Sequence, residues 1–362
     1  MSTRAKSGRM IIALAEPRPA ISSMGDEEGG SSRRMLDLNG HAVGVLIVNW
    51  NSGPLLARCL DALALQTLRP ARVLVVDNAS SDGSAAAAVG RTGVELLTMP
   101  SNLGFAEANN LGVDHLNDCQ WVALLNPDAF AEPDWLAALM AQAAKDPEVA
   151  ALGSCQLLAG DVSTLDGTGD MYSVAGLAWR RHHGAPASLA RDDSPEIFGP
   201  CAAAALYRRE AFVRVGGFDR SFFCYFEDVD LAFRLRGLGY RCLYVPAAVV
   251  HHVGSALSGF RSDFAVFHGQ RNMVWTFVRN MPASLLALYL PHHVLVNLVG
   301  VGVLALRGQG QIALRAKWAA LRGIKEVLRA RRRIQTERRA SPGELRRAMT
   351  RGIRAFGVGR NR

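Results

Sequence analysis

Trp121-Val122-Ala123-Leu124-Leu125-Asn126-Pro127-Asp128 decides how the rest of the chain is read. An apolar run closed by an Asn-Pro-Asp step predicts a fully buried strand that stops abruptly, because proline donates nothing to a sheet ladder and restricts the residue before it. A carboxylate, Asp128, is left at the strand's carboxyl end. In open α/β sheets that edge is where ligands bind, so Asp128 is the first candidate for chemistry.

Upstream, Val43 to Val48 is a β-rich apolar run closed by Asn49-Trp50-Asn51-Ser52-Gly53. Pro54 then opens a helix carrying Leu55, Leu56, Leu60 and Leu63 at helical spacing. Arg72 to Val76 reads as a second strand ending in Asp77-Asn78. Val94 to Met99 is a third, ahead of Ser101-Asn102-Leu103-Gly104 and a helix from Phe105 to Leu116. Downstream, Pro133 introduces a helix from Trp135 to Ala144. Strand and helix alternating in this rhythm predict an α/β fold: a Rossmann-like, mostly parallel sheet with right-handed crossovers and helices on both faces.

Three strands thus deliver polar residues at their carboxyl ends: Asn49 to Asn51, Asp77 with Asn78, and Asn126 with Asp128. The turn preference of Asp and Asn accounts for any one of them. Their convergence points to a ligand site.

Beyond Val149 the pattern turns irregular, and residues 167–193 read as loop with an edge strand. Order returns at Phe198-Gly199-Pro200, with a helix expected over Tyr207 to Val215. Leu231, Leu235 and Leu238 then mark a helix whose first turn carries Glu227, Asp228 and Asp230. The helix dipole favours acids there, but three of them behind Phe222, Phe223, Tyr225 and Phe226 exceed what a cap needs. Cys242 to Val250 returns as a strand and ends in His251-His252.

Composition narrows the class. The chain has 362 residues, 49% of them hydrophobic and 20% charged, ample for a globular core. Cys59, Cys119, Cys155, Cys201, Cys224 and Cys242 are scattered without a C-x-x-C pair, which suggests reduced thiols and neither a disulfide framework nor a zinc ribbon. The net charge of +9 conceals a division. From Arg307 onward seventeen Lys or Arg face three acids, a net of +14, so the first 306 residues carry −5. A mildly acidic body with a basic tail points to a surface interaction of the tail. The apolar run Met10 to Ala15 is too short for an export signal, and residues 1–41 read as a disordered leader.

Strand ends bearing carboxylates suit a metal-bound, phosphate-bearing ligand, because a hard divalent cation takes few protein ligands and leaves its other positions to water and phosphate oxygens. His251 or His252 is a candidate second ligand beside Asp128. Among phosphate-binding signatures, no Gly-rich loop of the P-loop or dinucleotide type is present, which argues against kinases, dehydrogenases and nucleotidyltransferases.

At this point a resemblance enters. VLIVNWN (45–51), VLVVDNASSDGS (73–84), NLGFAEANNLG (102–112), LLNPDA (124–129), FGPCAAAALYRREAFVRVGGFD (198–219), FFCYFEDVDLAFRLRGLGYR (222–241), VPAAVVHHVGSA (245–256) and RNMVW (271–275) stand in an order that resembles the family 2 glycosyltransferases, inverting enzymes of GT-A fold, and among them the rhamnosyltransferase-like members. The resemblance covers a domain of residues 42–280 and leaves 281–362 as a hydrophobic and basic helical tail. It implies that Asn49, Trp50 and Asn51 line the base and ribose of a nucleotide-sugar, that Asp77 and Asn78 hold the base, and that Asn102, Gly104, Asn109, Asn110 and Asn126 lie along the donor. Asp128 matches the last acid of the family's D-x-D element, with Asn126 in place of the first. It implies a divalent metal, Mg or Mn, on Asp128 and one of the two histidines, with His251 the expected ligand. With Asn126 contributing no charge, cation affinity is expected to depend on bound donor. Glu227 and Asp228 match the catalytic acidic pair, Asp228 as general base, and Gly199, Pro200 and Arg271 fall on the acceptor side. The implied reaction moves a sugar, L-rhamnose from dTDP-rhamnose, to a lipid-linked or polysaccharide acceptor of the cell envelope. The alternative is a non-catalytic scaffold on a degenerate transferase fold, against which the retained acids speak.

Ala283 to Leu306 contains no charged residue. Pro291-His292-His293 is expected to break it into pieces shorter than the roughly 20 residues of a span. Nucleotide-sugars are cytosolic and the basic tail belongs inside, so a re-entrant or surface-lying hairpin on the cytoplasmic face is expected. Leu314, Trp318, Leu321 and Leu328, with Arg315, Arg322, Lys325 and Arg329 around them, predict an interfacial amphipathic helix on an anionic membrane surface. Nucleic acid is disfavoured as partner, since the tail lacks a single-strand binder's aromatic platforms. Oligomeric state is not legible.

Overall fold

The computed structural model describes residues 42–191, 196–254 and 262–351; the expected leader at 1–41 lies outside them. The first half follows the predicted rhythm. It runs β1 (Val43–Asn49), α1 (Leu55–Ala64), β2 (Arg72–Asp77), β3 (Val94–Thr98), α2 (Gly104–His115), β4 (Trp121–Leu125), a short β5 (Ala129–Ala131) and α3 (Trp135–Ala143). β1 pairs in parallel with both β2 and β4, and β2 with β3.

The second half departs from expectation in three places. The stretch after Val149 is an ordered ten-residue strand, β6 (Val149–Leu158), followed by β7 (Asp161–Gly167) and a small hairpin of β8 (Asp170–Tyr172) and β9 (Ala178–Arg180). β6 escapes its pattern because Ser154 and Gln156 sit in it, both fully buried. Ser154 accepts a hydrogen bond from the Trp135 indole at 2.8 Å, the tertiary contact that offsets burying a hydroxyl. Next, Tyr207 belongs to a strand: β10 (Ala204–Arg208) pairs antiparallel with β4 and β6, and helix α4 begins only at Arg209 (Arg209–Arg214). Then come α5 (Glu227–Gly237) and β11 (Arg241–His252), the latter parallel to β6 and antiparallel to β5.

The sheet order is β3-β2-β1-β4-β10-β6-β11-β5. β10 runs against both its neighbours, so β6 and β11 point the same way as β1 to β4. The carboxyl ends of β1, β2, β4 and β11 therefore lie along one edge, which is what gathers the site. Alternate residues supply the two faces: Val45, Ile47, Val75 and Leu125 pack with α1 and α3, while Leu46, Val48, Leu74 and Leu124 pack with α2, α4 and α5.

The remaining helices are α6 (Asp263–Asn280), α7 (Ala283–Leu306), α8 (Gly310–Arg322), α9 (Ile324–Glu337) and α10 (Pro342–Ala348). Here the third correction falls, because α7 is one continuous helix with Pro291 inside it. A proline inside a helix removes one hydrogen bond at a cost of about 3 kcal/mol; Pro291 lies on the exposed side, and packing of the opposite side offsets that cost. Leu285, Tyr289, His293 and Val296 form its buried stripe. His293 stacks on Phe277 at 3.9 Å between ring centres, with its Nδ1 2.8 Å from the Ala175 carbonyl. α8 turns its alanines inward, Ala313, Ala316 and Ala320, against α6, where Trp275 donates to the Ala320 carbonyl at 3.0 Å. The chain then returns to the body, since Thr350 donates to the Tyr172 carbonyl at 2.9 Å.

Candidate active site

Asn49 ends β1 fully buried. Its amide donates to Asp77 at 2.9 Å, Ser80 at 3.1 Å and Ser84 at 2.9 Å. Asp77 in turn accepts from the Ser80 hydroxyl at 2.6 Å. Asn51, at φ 48°, is fastened to the same turn through the Ser80 hydroxyl and the Ser81 N–H. These bonds tie the ends of β1 and β2 into one rigid pocket floor and leave Trp50 exposed above it.

Asn78 accepts from the Leu103 N–H at 2.8 Å and donates to Asn102 at 2.9 Å, so the loop before α2 is held against the end of β2. Gly104 has φ +81°, and a Cβ there would lie 2.6 Å from the Phe223 ring, which only glycine permits. Asn109 and Asn110 are placed otherwise than expected. Asn109 donates within its own helix to the Phe105 carbonyl, and Asn110 clamps both backbone groups of Phe218. Their amides support the scaffold rather than face a ligand.

Asp128 is buried one turn beyond β4. Its Oδ1 lies 3.3 Å from His252 Nε2, and both atoms are left without a hydrogen-bond partner. The expected partner, His251, is corrected here: it points the other way, with its Nε2 3.0 Å from Glu132. Successive strand residues face opposite sides, so only one of the pair can meet Asp128. His252 Nδ1 rests 2.7 Å from Asp166 Oδ2. Burial works against a charged imidazole, and the flanking Asp128 and Asp166 carboxylates outweigh it, holding the His252 pKa above its ordinary value.

Glu227 and Asp228 open α5 behind a turn of three positive-φ residues, Phe223, Tyr225 and Phe226. Asp228 is half-buried, and its carboxylate accepts from the Val229 N–H at 2.8 Å and the Ala202 N–H at 3.3 Å. Burial pushes its pKa up nonetheless. Glu227 is buried, with Oε2 unpartnered, and burial with the Asp228 charge beside it raises its pKa well above the carboxylate range. Gly199 and Pro200 lie behind this turn: a Cβ on Gly199 would strike Ala232 of α5 at 2.4 Å, and Pro200 packs on Gly153. Arg271 donates to the Ser221 and Phe222 carbonyls and lies over the Trp275 ring. All three shape the turn from behind.

Sequence reading missed the contribution of β7 to β9. Asp166 sits under His252, Asp170 has a carboxylate oxygen within 4.8 Å of Asp228 and the Cys201 thiol, and Arg180 is ion-paired to Asp166. Burial, then the Asp228 charge, pushes Asp170 well above the carboxylate range. One signal was present, Asp166-Gly167-Thr168-Gly169-Asp170: Gly169 has φ +107° and no room for a Cβ beside Ile197.

The edge of a mixed sheet thus collects an Asp-His pair fit for a divalent cation and a separate, oriented carboxylate fit to act as a base. Residues 44–216 match the model of glycosyl transferase family 2. Over 270 residues the chain is 36% identical to the N-acetylglucosaminyl-diphospho-decaprenol L-rhamnosyltransferase of Mycobacterium tuberculosis, covering 64% of this chain and 85% of that one. It is 26% identical over 210 residues to an O-antigen chain rhamnosyltransferase of Salmonella typhimurium, covering 58% and 65%. Two solved structures share the fold: GalNAc-T7 with UDP, GalNAc and Mn2+ (TM-score 0.54, 17% identity, covering 67% and 48%) and the mannosyltransferase PcManGT of Pyrobaculum calidifontis with GDP-Man and Mn2+ (TM-score 0.51, 20% identity, covering 85% and 86%). The chain belongs to glycosyltransferase family 2. It is a glycosyltransferase of GT-A fold, which sets aside the scaffold alternative.

Proposed function

We propose that the chain is an inverting rhamnosyltransferase, moving L-rhamnose from dTDP-rhamnose to a lipid-linked sugar diphosphate or growing glycan in cell-envelope synthesis, at the cytoplasmic face of the membrane. The observation that carries this reading is the buried pair Asp128 Oδ1 and His252 Nε2, 3.3 Å apart and without a hydrogen bond, on the same sheet edge as Asn49 and Asp77. Burying these two atoms as a charge pair with no hydrogen bond between them costs stability; a function that supplies a shared partner explains them. One carboxylate and one imidazole fit a divalent cation that takes its other ligands from water and diphosphate. When bound there, such a cation supplies charge neutralisation for a departing nucleoside diphosphate.

The chain's own residues do the rest. Trp50 and Asn51 receive the nucleoside, with Asn49 and Asp77 keeping their loop in place. The Ala202 and Val229 N–H groups aim Asp228. Asp228 takes the proton of an acceptor hydroxyl as that oxygen bonds to the anomeric carbon; the bond from that carbon to the diphosphate breaks, and the electron pair leaves with the nucleotide. Attack from the face opposite the leaving group inverts the configuration.

The named relatives support the choice of sugar and of a lipid-linked acceptor. The C-terminal helices support a membrane seat. α7 is long and apolar enough to cross a membrane by length and composition, yet one face is packed on the body. Its other face exposes Leu288, Leu290, Leu295 and Leu298, and α8 exposes Leu314, Trp318 and Leu321 beside Arg315 and Arg322. An apolar stripe flanked by cations suits the interface of an anionic bilayer. The test is incubation of the full chain with dTDP-rhamnose and a polyprenyl-diphospho-N-acetylglucosamine acceptor. An inverted rhamnosyl product is expected; donor-independent behaviour, or transfer only from other nucleotide-sugars, refutes the assignment.

A further inference from the structure

Asp166 is not reached by any of the strand-end motifs, yet it is only 2% exposed and bonded to His252 Nδ1 at 2.7 Å. It is also the partner of Arg180, and His183 Nδ1 lies 3.4 Å from its Oδ1. The Arg180 guanidinium already compensates the buried carboxylate, so the bond to His252 is more than its own burial demands. That bond has a directional effect. A carboxylate accepts only, so Asp166, at the shorter distance, holds a proton on Nδ1, and Nε2, turned toward Asp128, is the nitrogen on which a cation would take the place of a proton.

We infer that Asp166 is a positioning residue of the active site, which fixes the tautomer and orientation of His252 so that Nε2 and Asp128 together receive a divalent cation. This rests on the reading of Asp128 and His252 as the cation pair. A carboxylate behind a metal-bound imidazole sets the ring angle and raises the basicity of the ligating nitrogen, and its loss lowers metal affinity about 10–100-fold. The β7–β8 segment that carries Asp166 also brings Asp170 within 4.8 Å of Asp228. The same short segment therefore braces both halves of the site.

The experiment measures Mn2+ binding by electron paramagnetic resonance on the full chain in the presence of dTDP, a readout independent of turnover. Asp166→Asn is expected to weaken Mn2+ binding about 10–100-fold while dTDP binding without metal stays as in the parent. His183→Asn, which removes a partner of Asp166 but leaves His252 untouched, is expected to stay within about twofold of the parent on the same principle. Should Asp166→Asn not fold, Asp166→Glu keeps the charge and displaces the carboxylate by one methylene, and the same loss is expected. Mn2+ binding at parental strength in a folded Asp166 variant overturns the inference. If His252→Ala and Asp128→Asn also bind Mn2+ as the parent does, the cation-pair reading itself fails; if those two lose the ion while the Asp166 variants keep it, only the positioning role does.

Discussion

The side-chain amide of Asn272 donates to the carbonyl of Tyr225 at 2.8 Å, and so joins α6 to the turn that delivers Glu227 and Asp228. The same amide reaches the carbonyls of Phe222 and Cys224, each at 3.0 Å. Phe223, Tyr225 and Phe226 hold φ near +65°, a region that costs a non-glycine residue about 1–3 kcal/mol. Asn272 over-determines that conformation. In Asn272→Ala the turn relaxes, and kcat is expected to fall at least about tenfold with KM for the donor little changed, as expected when a positioned group shifts by a fraction of an ångström. Steady-state kinetics beside a thermal unfolding curve check it.

Asp228→Asn keeps the shape of the side chain and removes the base. Turnover is expected to drop about 10²–10⁴-fold, while dTDP-rhamnose still binds, as read by calorimetry. Unchanged turnover sinks the assignment of Asp228.

Burial raises Asp228 above the ordinary carboxylate range, and Asp170 beside it is raised further. A general base works only when ionised. As pH falls through the raised value Asp228 takes up a proton and the rate declines; as pH rises past it the rate reaches a plateau. The acid limb of kcat/KM is therefore expected above the ordinary Asp pKa of about 4. The two carboxyls titrate as a pair, so the limb belongs to both. A profile flat down to that value contradicts the burial argument.

Arg279 ties α6 to α5 and the turn before it, pairing with Asp219 at 2.6 Å and with the fully buried Asp230 at 3.1 Å. Burial would raise Asp219, but Arg279, together with the Ser221 hydroxyl and N–H, outweighs it and brings its pKa to about 2. A depressed folded-state pKa contributes stability above the unfolded value that is lost as pH falls toward about 2. Arg279→Met is expected to cost about 3 kcal/mol in denaturant unfolding at neutral pH, with a smaller loss on acidification than in the parent.

Leu295 and Leu298 are 59% and 66% exposed on the outer face of α7. Exchanging both for Glu touches no packing, so stability is expected to change by less than about 0.5 kcal/mol per site. Sedimentation with anionic liposomes is expected to be lost, and activity on a water-soluble acceptor retained. Undiminished liposome binding would remove α7 from the membrane seat.

The sequence by itself determined the first half of the molecule. β1, β2 and β4 are apolar runs buried on both faces, with β3 a half-buried edge, and the Asn and Asp closures are local turn chemistry, so a one-dimensional pattern carries them. Asp77, Asp128 and the Glu227-Asp228 pair were legible for the same reason. Three things were decided only by tertiary structure. β6 is a central strand despite Ser154 and Gln156, because Trp135 satisfies the Ser154 hydroxyl from another element. α7 stays whole through Pro291, because its buried stripe packs on Phe277 and the body. And the choice of His252 over His251, with Asp166 behind it, was set by which face of β11 looks back at Asp128. Adjacent residues on a strand are equivalent in sequence and opposite in space, and only the register of β11 against β5 and β6 tells them apart.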